Sequence, residues 1–180
     1  MGIGSVFGTI LRVIKYDVSR FHHYLFKTWG VHTEAVFNDK VWEQVVKRCK
    51  SKKLVWFCIT PVNHDYACTF FGLTLSKEDY SRLLARKYLE LQRMGQRVEL
   101  HVHLSTLPNM AEKEQRRMMT EALQWMRNNG FNVSEFVPGW WSYNPTLRRI
   151  VDDLGLKAVK KSDYYAIHDY DFVTENDHLQ

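Results

Sequence analysis

One stretch of the chain alternates strictly between polar and apolar residues: Arg97-Val98-Glu99-Leu100-His101-Val102-His103-Leu104-Ser105. On a strand, side chains two apart share a face, so Glu99, His101, His103 and Ser105 point one way and Val98, Leu100, Val102 and Leu104 the other. A different pattern, the unbroken apolar run over residues 54–60, predicts a strand buried on both faces. Shorter strands are expected over 31–37, 133–137, 157–159 and 164–167.

Between these runs the apolar positions recur at helical spacing. A helix is predicted from Asn38-Asp39 through Trp42, Val45 and Val46 to the basic run 47–53. Ser76, with Asp79 three residues on, opens a second, whose apolar face is Tyr80, Leu83, Leu84, Tyr88 and Leu91. A third covers 111–128 with Met118, Ala122, Leu123 and Met126 inward. Asn144 caps a fourth, with Pro145 at its first position. Residues 5–29 mix apolar and basic positions and are read as a helix covering the core, a basic membrane-surface segment being the alternative.

Strands alternating with helices imply crossover connections, and hence an α/β protein with a parallel sheet or barrel. At 180 residues the chain suits a single domain: a helical segment over 1–30, a core over 31–173 and a frayed acidic tail from 174. No run of about 18 apolar residues suggests a membrane span. The odd count of 3 Cys argues against a disulfide framework and fits a reducing compartment, so a cytoplasmic location is expected. A net charge of +5, spread along the chain, permits an anionic partner without demanding one, and no specific nucleic-acid partner is expected. The oligomeric state is left open.

In parallel α/β folds, reactive side chains collect at the C-terminal strand ends. Here His64-Asp65 follows one predicted strand, His101 and His103 lie late in the next, Trp140-Trp141 follows a third and His168-Asp169 the last. Two imidazoles on one strand face can converge on one metal ion, and the shared rim favours that over two unrelated half-buried histidines. His32 and Glu34 share a face of the strand over 31–37 and are read as a solvated pair, extra ligands being the alternative. Asp169 either orients an imidazole or caps a turn.

The order of these motifs resembles the polysaccharide deacetylases of the NodB-homology type, over roughly residues 54–172. His64-Asp65 stands at the place of that family's acidic pair, and the stretch from Gly95 to Ser105 resembles its metal-binding motif, with His101 at the first His. Phe136-Val137-Pro138-Gly139-Trp140-Trp141 falls at its Arg-Pro-Pro-Tyr motif, and Ile167-His168-Asp169 at its final catalytic His. The chain departs from the pattern at Ser105 (second His), His64 (first Asp) and Val137 (Arg).

The resemblance implies an incomplete or distorted (β/α) barrel. It also implies a metal-dependent hydrolase that removes an acetyl group from an N-acetylated sugar or glycan. Asp65, His101 and His103 would then hold a divalent metal: Zn²⁺, with Co²⁺, Ni²⁺ and Fe²⁺ also suited to a mixed N/O set. His64 would be the base, His168 the acid, and Trp140, Trp141 and Tyr143 the substrate-binding wall for a carbohydrate. The alternatives are a catalytically inactive carbohydrate-binding relative and, last, a basic module for nucleic acid or anionic lipid.

Overall fold

The computed structural model of the 180-residue chain describes residues 28–103 and 110–173. The helix expected over 5–29 and the tail beyond 173 thus lie almost wholly outside the described residues, as do Leu104 and Ser105. The elements run β1 (Trp29–Thr33), α1 (Asp39–Ser51), β2 (Val55–Cys58), α2 (His64–Phe71), α3 (Lys77–Arg93), β3 (Arg97–Val102), α4 (Glu112–Asn128), β4 (Glu135–Pro138), α5 (Pro145–Asp153), β5 (Lys157–Ala158) and β6 (Tyr165–His168). Single 3₁₀ turns at Pro61–Asn63, Gly139–Trp141 and Asp169–Phe172 follow β2, β4 and β6.

Among the described residues six strands pair in parallel, in the order β5-β4-β3-β2-β1-β6. Sequential strands lie side by side, and β6 returns to the free edge of β1 rather than to β5. The sheet is therefore a curled half-barrel, an incomplete (β/α) barrel with helices on its outer face.

The helix starts follow the expected chemistry. The Asn38 carboxamide accepts from Lys40 N and Val41 N, the Ser76 hydroxyl from Asp79 N, and the Asn144 carboxamide from Leu147 N. Each satisfies orphan amides of a first turn. The outward strand residues Val31, Trp56, Cys58, Val98, Leu100, Val102 and Phe136 pack with Leu84, Tyr88, Met119, Leu123 and Ile150 of the helices into one main core. On α4 the buried methionines are Met119 and Met126, with Met118 half-buried beside them.

The concave face has its own small apolar layer of Val55, Phe57, Val137, Val159 and Tyr164. At the N-terminal strand ends it is closed by a polar plug. The buried Glu99 carboxylate accepts from Ser134 N and Glu135 N at 2.7 Å each. Arg97 reaches both Glu99 (2.7 Å) and Glu135 (2.8 Å).

Two expectations change. Trp29 starts β1 and does not end a helix, because Trp29 and Gly30 pair with Tyr165 and Ala166 of β6. His64-Asp65 opens α2 instead of lying in a loop: Pro61 begins a 3₁₀ turn that runs on into that helix. After His168 the chain packs back on the core, with Phe172 buried against Trp56.

Candidate metal centre

Strand register brings the histidines together. His32 on β1 sits opposite His168 on β6, and both face the concave side. His101 on β3 stands opposite Val137 of β4, and His103 follows at the end of β3. Just past β1, Glu34 lies among them. Its Oε1 is 2.9 Å from His103 Nε2, 3.1 Å from His168 Nδ1 and 3.8 Å from His101 Nε2. Two triads sharing that carboxylate, His32/Glu34/His168 and Glu34/His101/His103, each hold their donor atoms within 4.8 Å of one another.

Neighbouring groups hold each donor in place. His101 Nδ1–H donates to the Val137 carbonyl at 2.8 Å, which leaves the Nε2 lone pair directed into the cluster. That Nε2 and His32 Nε2 are buried without a hydrogen-bond partner. The His103 backbone carbonyl accepts from Asn63 Nδ2 at 2.7 Å, and its ring lies on Tyr66, 4.0 Å between centroids and 14° from parallel. Behind that ring is Gly139, where a Cβ would collide with His103 Nδ1.

The carboxylate's loop is held from two sides. Asp169 Oδ2 accepts from Glu34 N (3.0 Å) and Ala35 N (2.8 Å), so it caps this turn and orients no imidazole. The ammonium of Lys87, a buried lysine on α3, donates to Val36 O at 2.7 Å and Asp39 at 3.2 Å.

Electrostatics separates the groups. Burial, and next His101, hold the His32 imidazole well below its usual pKa; burial also lowers His101. Burial opposes ionisation of Glu34, but the surrounding imidazoles of His101, His103 and His168 outweigh it and hold the carboxyl far below the usual range. For His168 burial works downward and is outweighed by Glu34, so the net shift is upward. Burial, then the Glu34 charge, pushes Asp169 up to about 7 against the pull of the backbone amides it accepts from.

Not every residue singled out in the sequence reaches the cluster. His101, His103 and His168 meet there. Asp65 is at the start of α2, its side chain fully exposed, and joins neither triad. His64 Nε2 lies 2.9 Å from Leu75 O and its Nδ1 3.3 Å from Asp65, so both nitrogens are taken up locally. The acidic member is Glu34, and His32 and Glu34 are 3% and 4% exposed, not solvated. Strict alternation reads the same whether a face meets water or the inside of a barrel. What distinguishes them is β1's pairing on both sides, with β2 and β6.

The aromatic residues divide. Trp140 is 70% exposed with its ring 5.7 Å from His103, and Trp141 packs 5.3 Å from His32. Both adopt left-handed backbone conformations, at φ 58° and 56°, which are strained for bulky residues. Tyr143 turns away: its hydroxyl donates to Phe136 O at 2.8 Å and its ring packs on Phe136, a residue of the outer core.

No protein-family model matches the sequence, and no curated protein matches it. Solved structures do match. A CE4 family pseudoenzyme from Bacillus anthracis superposes with a TM-score of 0.51 at 13% identity, over 74% of this chain and 43% of that one. A mutant of a CE4 family pseudoenzyme with restored enzymatic activity gives 0.53 at 12%, over 75% and 45%. A family 4 carbohydrate esterase from Streptomyces lividans, in complex with acetate, gives 0.53 at 14%, over 75% and 62%. The chain thus spans about half the length of the first of these. The likeness is one of fold, and it agrees with the strand order: the chain carries an incomplete (β/α) barrel like that of these CE4 structures.

Proposed function

We propose that the chain is a metal-dependent amide hydrolase that removes an acetyl group from an N-acetylated sugar or glycan, with Glu34, His101 and His103 as the metal ligands. One observation carries this reading. A buried carboxylate faces the buried, unpartnered Nε2 of His101, whose other nitrogen is tied back to the Val137 carbonyl. That is the arrangement that fixes the tautomer and aim of a ligating imidazole. One carboxylate with two imidazoles suits Zn²⁺, and also Co²⁺, Ni²⁺ or Fe²⁺. A bound divalent ion would supply Lewis acidity toward the acyl oxygen and toward water.

The chain's own groups divide the remaining work. His32 Nε2, buried and unpartnered, takes the proton of the attacking water. The water oxygen joins the acyl carbon and the C–N bond breaks. His168, whose side chain is 40% exposed at the mouth of the site, returns a proton to the leaving amine. Trp140 offers an exposed ring for stacking on a pyranose. This reading moves the base from His64 to His32 and the acidic ligand from Asp65 to Glu34. It keeps His101, His103, His168 and Trp140 in the roles expected from the sequence.

The test is acetate release from N-acetylglucosamine oligomers by protein loaded with Zn²⁺ or Co²⁺, alongside His168→Ala. Loss of the proton donor is expected to lower kcat by about 10²–10⁴-fold. Metal-loaded protein that binds the oligomers yet releases no acetate contradicts the hydrolase reading and leaves a carbohydrate-binding relative in its place.

A further inference from the structure

The two oxygens of Glu34 are used differently. Oε1 faces the histidines, whereas Oε2 accepts a hydrogen bond from the Tyr66 hydroxyl at 3.1 Å. The same Tyr66 ring stacks on His103. Tyr66 lies on α2, Glu34 follows β1 and His103 follows β3, so one side chain ties two ligands brought in by separate strands. Its own footing is aromatic: the ring packs on Phe70 at 4.8 Å and Phe71 at 5.9 Å, along the same helix. Burial, followed by the Glu34 charge, raises the Tyr66 pKa, so the phenol keeps the proton it donates.

We infer that Tyr66 is a positioning residue of the metal centre, holding Glu34 so that a single carboxylate oxygen faces the imidazoles and clamping the plane of His103. The inference rests on the proposed ligand set Glu34, His101 and His103. Without the hydroxyl, Oε2 is released and the carboxylate is free to rotate about its last bond. Without the ring, His103 loses its stacking partner on one face. Conservative loss of an outer hydrogen bond of this kind costs about 10–100-fold in metal affinity.

Two variants separate hydroxyl from ring. Tyr66→Phe keeps the stack and removes only the donor; Tyr66→Leu removes both. Metal-free protein would be titrated with Co²⁺ against a competing chelator, and the visible absorption of the Co²⁺ form recorded, with thermal melts of the metal-free proteins as the folding control. Tyr66→Phe is expected to melt as the parent does, to bind Co²⁺ about 10–100-fold more weakly and to show altered Co²⁺ bands. Tyr66→Leu is expected to bind more weakly still. A Tyr66→Phe protein with the parent's affinity and spectrum overturns the positioning role while leaving the ligand set standing. A parent that takes up no Co²⁺ overturns the ligand set itself, and the role of Tyr66 with it.

Discussion

Gly139 and His103 compete for one volume: a Cβ on the glycine would stand on the imidazole's Nδ1 and within 2.9 Å of its Cε1. Gly139 directly follows β4, so the strand that orients His101 through the Val137 carbonyl also leaves the room that His103 occupies. Gly139→Ala is therefore expected to push His103 out of line, lowering metal affinity by at least about tenfold, the scale of a lost supporting contact. A chelator competition titration measures it. Unchanged affinity would mean that His103 is not a ligand.

Trp140 separates stability from function. Its left-handed backbone costs about 1–3 kcal/mol for a non-glycine residue, and its ring is 70% exposed, with little packing to lose. Trp140→Gly is expected to leave the melting temperature unchanged or raise it, while weakening oligosaccharide binding several-fold. A variant that melts markedly lower would show the ring to be structural.

The polar plug predicts a pH dependence. Burial opposes ionisation of Glu135, but Tyr164 (2.5 Å), Lys157 (2.9 Å) and Arg97 (2.8 Å) surround its carboxylate, so its net pKa is lowered. A group with a depressed native pKa contributes stability above its unfolded value, about 4.3 for Glu, and that contribution is lost as pH falls through the lower native value. Glu135→Gln is expected to flatten the acid limb of the stability curve below about pH 4.3. Urea titrations of both proteins across that limb read the difference, and parallel curves would count against the plug.

Asp169 makes the last test of the scaffold. It holds Glu34 N and Ala35 N from the turn that follows the neighbouring strand β6. Asp169→Ala would leave two buried amides without their acceptor, at about 1–3 kcal/mol each, and would loosen the carboxylate loop. Reduced stability together with weaker metal binding is expected, and intact metal binding would show that Glu34 is positioned without it.

Much of the scaffold was legible in the sequence. Cap residues Asn38, Ser76 and Asn144 mark helix starts through local hydrogen bonds, and local chemistry is what a sequence displays. His101 and His103 were legible for the same reason, since both lie on one alternating strand. Glu34 was not. Its partners are 69 and 134 residues away at His103 and His168, and only the pairing of β1 between β2 and β6 turns its face into an interior. Asp65 misled in the opposite sense: it follows a strand, as a ligand should, but Pro61 and the turn after it start a helix that carries the carboxylate outward. Tyr66, one residue on, reads in sequence as an ordinary aromatic, and only the stacking shows its link to His103.

The proposed metal centre is formed by Glu34, His101 and His103. Metal content of the purified protein by mass spectrometry, beside Glu34→Gln and the double variant His101→Ala/His103→Ala, tests it most directly. Near-stoichiometric divalent metal is expected in the parent and little in either variant. A parent that stays metal-free after incubation with Zn²⁺ or Co²⁺, or a Glu34→Gln protein as fully loaded as the parent, would contradict it.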